Sequence, residues 1–80
     1  MEKTVRLGVY RVLRKLGVTR DFIYPEATFK NDLFFDESDW NCFLFFIEEQ
    51  FNISIDDDEA LKLVTVGNSI ELVNKHLSAN

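Results

Sequence analysis

The stretch Asp32–Phe51, DLFFDESDWNCFLFFIEEQF, constrains the fold more than any other part of the chain. Trp40, Phe43, Leu44, Ile47 and Phe51 recur at spacings of three and four, the stripe of a helix packed on a core. Asp36, Asp39, Glu48 and Glu49 fall away from that stripe. The pair Asp36 and Asp39 predicts an N-cap with an acidic first turn, where carboxylates suit the helix dipole. The helix is expected over about 37–51, with Asn52 as its stop.

Eighty residues with 46% hydrophobic content and eight Phe specify one small globular domain over residues 1–80. A core of this size is marginal by area, and the aromatics strengthen it. No apolar run approaches the ~18–20 residues of a membrane span. The first residues, MEKTVRLGVYRVLRKLG, have mixed charge and no hydrophobic leader core, and the single Cys allows no internal disulfide. A cytoplasmic monomer is expected.

Charge is segregated. Residues 1–30 hold seven Lys/Arg against three Asp/Glu, a balance of +4; residues 31–80 hold two against eleven, a balance of −9. An acidic body argues against nucleic acid, whose phosphates it would repel, and for basic protein surfaces. The plainer account is that acids keep a small domain soluble.

Residues 2–16 read as a first helix, with Val5, Val9, Val12, Leu13 and Leu16 on its apolar stripe and Leu7 off it. Gly17 is its expected C-terminal cap. Its Arg and Lys residues read as a solvated face rather than a binding patch. Residues 18–35 form a long connection that its own apolar residues must pin: Phe22, Ile23, Tyr24, Phe29, Leu33, and Phe34 or Phe35. Ile53 and Ile55 alternate with Ser54, as in an extended link. Asp56 to Glu59 open a short helix over about 57–62; they lack calcium-loop spacing and read as caps. Thr65 should cap a last helix over 66–78, buried through Val66, Ile70, Val73 and Leu77.

Nothing in the sequence reads as an enzyme. There is no nucleophile–base pair, no glycine-rich phosphate loop and no Cys/His cluster. Cys42 has no cation near it in sequence to activate it, and His76 has no second ligand at metal spacing.

The pattern D-L-x-x-D at Asp32–Asp36, Ile47-Glu48-Glu49-Gln50-Phe51, the later I-x-D-D-E-A at Ile55–Ala60 and Thr65-Val66 resemble an acyl carrier protein. The resemblance implies an all-α, four-helix bundle of three main helices and one short helix, with a long first loop. It also implies partner enzymes of fatty-acid or polyketide type, met by an acidic second helix through basic patches. In that family a serine opening the second helix carries 4′-phosphopantetheine. In the register set by Ile47–Phe51 the carrier serine matches Glu37, and Ser38 stands one residue on. Sliding the register by one would bring Ser38 to the carrier position but would bury Glu48 in place of Ile47, at a cost of several kcal/mol. Ser38 is thus the displaced candidate for the arm, and an armless domain is the expected state. The implied interaction surface comprises Asp36, Glu37, Asp39, Cys42, Phe45, Glu48 and Glu49, with Phe45 as the apolar anchor. The alternative to a true carrier is a degenerate carrier fold that acts purely through protein contacts.

Overall fold

Four α-helices follow one another: α1 (Glu2–Lys15), α2 (Glu37–Phe51), the five-residue α3 (Asp57–Leu61) and α4 (Val66–Ser78). A single 3-10 turn, Arg20–Phe22, interrupts the first connection. The computed structural model describes residues 2–78, with side chains from Thr4 onward. Among these residues there is no strand beyond an isolated antiparallel bridge between Thr28 and Thr65. The expected all-helical bundle is present.

α1 packs against both α2 and α4. It buries Val5, Val9, Val12 and Leu13, the face its spacing predicts, while Leu16 lies in the following turn and is half-buried. Gly17, at φ +97°, closes α1. Its N–H donates to the Arg14 carbonyl and the Val18 N–H donates to that of Leu13. This paired closure needs the left-handed geometry that glycine adopts without strain.

The stripe of α2 is narrower than its spacing suggests. Phe43 and Ile47 are fully buried, whereas Trp40, Leu44 and Phe51 are half-buried and flank them. A domain of this size lacks the chain to cover both edges of α2. On α4, Val66, Ile70 and Val73 are buried as expected and Leu77 is half-buried. Ser69 is also buried, its hydroxyl satisfied by donating to the Val66 carbonyl at 2.6 Å. The short helix ends at Leu61 rather than 62, with Lys62 as its cap.

The long connection is held by fewer of its apolar residues than expected. Of its apolar residues only Ala27 and Phe29 are buried; Ile23, Leu33 and Phe35 are half-buried, and Phe22, Tyr24 and Phe34 are exposed. Backbone pairing does the rest. The Phe29 N–H donates to the Val64 carbonyl, Val66 N–H to that of Ala27 at 2.9 Å, and Gly67 N–H to that of Pro25 at 2.8 Å. Thr28 and Asp32 close a tight turn between them, the Asp32 carboxylate accepting from the Thr28 N–H at 2.8 Å. With its polar groups paired to the α3–α4 junction, the loop needs fewer apolar pins.

Gly8 faces the end of α2. A Cβ there would stand 2.5 Å from Cζ of Phe51. Alanine gains about 1 kcal/mol of helix propensity over glycine, but overpacking costs about 1–3 kcal/mol. Gly8→Ala should therefore lose stability in the native chain and gain about 1 kcal/mol in a Phe51→Leu background. Urea melts of the four species check this; the same sign in both backgrounds would show that Phe51 does not set the approach.

Candidate functional site

The start of α2 rests on an aromatic cluster. The Phe29 ring lies 4.9 Å from Phe43, 5.0 Å from Trp40 and 5.6 Å from Phe35, centroid to centroid. Trp40 stacks on Phe43 at 5.7 Å. Edge-on and offset contacts of this kind add to the burial of each ring. They fix the first turn of α2 against the long loop.

Two carboxylates cap that turn reciprocally. Asp36 accepts from the Asp39 N–H at 2.8 Å, and Asp39 accepts from the Asp36 N–H at 3.2 Å. Each satisfies a donor that the helix leaves unpaired. Glu37 and Ser38, the next two residues, are exposed. Beside Glu37 lies an open cleft of about 480 Å³, lined by Phe29, Phe35, Trp40 and Leu63 together with Asp36 and Lys30. The site thus offers apolar surface next to carboxylates.

The remaining predicted residues spread along α2. Phe45 is 56% exposed, with its ring 5.8 Å from that of Phe46. Cys42 and Glu49 are exposed. Glu48 is half-buried, and one oxygen accepts from the Ile55 N–H at 2.7 Å, tying the extended link back to α2. Ile47 fills the buried position at 1% exposure. α2 contains no Lys or Arg. Among the described residues the one carboxylate within 4.0 Å of a basic side chain is Glu59, 3.0 Å from Nε2 of His76. Among the described residues, no Lys, Arg or His stands within 4.0 Å of the acids of α2. Glu59 also completes the reciprocal cap of Asp56 on α3, so His76 fastens α3 to α4.

One feature of the site carried no sequence signal. Phe34, two residues before the Asp36 cap, has φ +56° and is 76% exposed. A bulky residue in the left-handed region costs about 1–2 kcal/mol, and little burial offsets it here. Phe34→Gly should raise stability by about 0.5–1 kcal/mol, read as a higher urea midpoint at unchanged slope. A lower midpoint would mean that the Phe34 ring contributes packing that its exposure does not suggest.

Known proteins resemble the chain closely enough to define a relationship. It is 39% identical over 66 residues to an acyl carrier protein of Porphyromonas gingivalis, spanning 82% of this chain and 85% of that one. It is 36% identical over 63 residues to an acyl carrier protein of Nitratidesulfovibrio vulgaris, spanning 79% and 83%. No protein-family model matches the chain.

Proposed function

The chain belongs to the acyl carrier protein family, and we propose on that basis that it is an armless carrier-like domain whose acidic α2 docks on basic partner proteins. The observation that supports this reading is the set of acids at the start of and along α2, none with a cation within 4.0 Å among the described residues, around the exposed Phe45. Asp36, Glu37, Asp39, Glu48 and Glu49 steer a partner by long-range attraction, and Phe45 anchors it. The second oxygen of Glu48 remains for a partner when the first holds Ile55. The partners are of the acyl-metabolism type that the family relationship suggests. The domain works as a cytoplasmic monomer with no catalysis of its own.

4′-Phosphopantetheine is implied by the relationship but does not fit the residue matched to the carrier position. A carboxylate at Glu37 has no hydroxyl to esterify. Ser38, the displaced candidate, is exposed but stands one residue beyond the matched position, about 100° further around the helix. The second reading, a true carrier armed on Ser38, is favoured by that exposed hydroxyl and by the family relationship.

The docking reading is tested on a partner captured from the native host. Glu48→Lys/Glu49→Lys should weaken binding most at low salt, because exposed ion pairs are worth about 0–1 kcal/mol each and are screened. Phe45→Ala should weaken it at every salt, by on the order of 2 kcal/mol, chiefly through faster dissociation. Indifference to both changes would remove α2 as the interface.

A further inference from the structure

A second groove lies along α1, and its charge is opposite. Arg11, Arg14 and Lys15 of α1 and Arg20 of the 3-10 turn line it, around an apolar floor of Leu7, Tyr10 and Ile23; its volume is about 760 Å³. All four cations are exposed, and none has a carboxylate within 4.0 Å among the described residues. Lys15 instead sits 5.0 Å above the Phe46 ring. Leu7 is 50% exposed, off the stripe that α1 buries, so core packing does not account for it. A merely solvated helix face would scatter its cations over convex surface. Here they ring a depression with an apolar floor.

We propose that this groove docks an acidic segment of a partner protein that carries an apolar anchor. Carboxylates pair with Arg11, Arg14, Lys15 and Arg20 while an aliphatic or aromatic side chain covers Leu7, Tyr10 and Ile23. Charge complementarity selects this occupant over larger anions. The chain is −5 overall, and residues 31–80 carry −9. A planar anionic membrane or a nucleic acid reaches past the groove into that field. A segment confined to the groove feels mainly the four near cations, because charges beyond about 8 Å are screened at physiological salt. The domain then has two docking faces of opposite sign, and this one stands whether or not α2 binds anything.

The test is an NMR titration of the ¹⁵N-labelled full chain with a synthetic acidic amphipathic peptide of Glu and Leu. A polyglutamate peptide of equal charge and phosphatidylglycerol-containing vesicles run in parallel. The amides of α1 from Leu7 to Lys15 and those from Arg20 to Ile23 should shift, while those of Cys42, Phe45 and Glu49 stay put. Arg11→Gln/Arg14→Gln should weaken the peptide about tenfold at low salt, with the gap closing as salt rises. Leu7→Ser should weaken it about fivefold. Arg20→Gln repeats the charge test without touching α1, so a folding defect of the helix variants cannot mimic the result. The proposal is overturned by unshifted groove amides at millimolar peptide, by polyglutamate binding as tightly as the amphipathic peptide, or by tighter binding to the vesicles through the same residues.

Discussion

Phe29→Ala should cost about 3–5 kcal/mol of stability, a large share of the about 5–15 kcal/mol that holds a typical domain together. Phe29 is the one buried aromatic of the long connection, and its ring touches those of Phe35, Trp40 and Phe43. Truncation leaves a cavity bounded by three rings that cannot all collapse into it. It also loosens the segment whose backbone pairs with Val64 and Val66. Phe22→Ala and Tyr24→Ala, at exposed positions of the same connection, should each change stability by no more than about 0.5 kcal/mol. Urea melts of the three variants decide whether one aromatic or several hold the loop. Comparable losses at all three would contradict the observed burial.

On the armless reading proposed above, Glu37→Ser should make the chain a substrate for the arm that the native sequence does not take. Co-expressed with a broad-specificity phosphopantetheinyl transferase and coenzyme A, the native chain should keep its unmodified mass, and Glu37→Ser should gain the arm. The reason is register. Ile47 occupies the buried position of α2, while Glu48 is half-buried and holds the Ile55 N–H. A register slipped by one would put that carboxylate in the core, at a cost of several kcal/mol. Ser38 lies about 100° around the helix from position 37, so the enzyme meets its hydroxyl in the wrong direction. Ser38→Ala added to Glu37→Ser should leave the gain intact. A native chain that is modified, and loses the modification on Ser38→Ala, would overturn both the register and the armless reading.

Helix phase and helix ends were legible in the sequence because they depend on residues within a turn or two. Val5, Val9, Val12 and Leu13 mark the buried face of α1, and Asp36, Asn52 and Thr65 mark where α2 and α4 stop or start. Each is a spacing of three or four, or a side chain meeting a backbone group of its own turn. One helix cannot bury every apolar position around its circumference, which left either Phe45 or Phe46 outward; the resemblance pointed to Phe45, and it is the exposed one. The resemblance at Asp32–Asp36 and Ile47–Phe51 supplied the layout of the elements.

The long connection was not legible in this way. Seven aromatic or aliphatic residues there satisfy the same local rule, yet Phe29 is buried while Phe22, Tyr24 and Phe34 face solvent. The choice follows from pairing of residues 25–29 with residues 64–67, which are far away in sequence and leave no periodic trace. Glu48 is a further case: among the acids of α2 only the fold could single it out as the acceptor for Ile55. So is the basic groove, since Arg20 and Ile23 join α1 only once the chain has turned after Gly17. Local spacing reports which side of a helix is apolar. Which residues meet across the bundle depends on how closely the helices and loop approach, and that approach is set by close packing among residues distant in the chain.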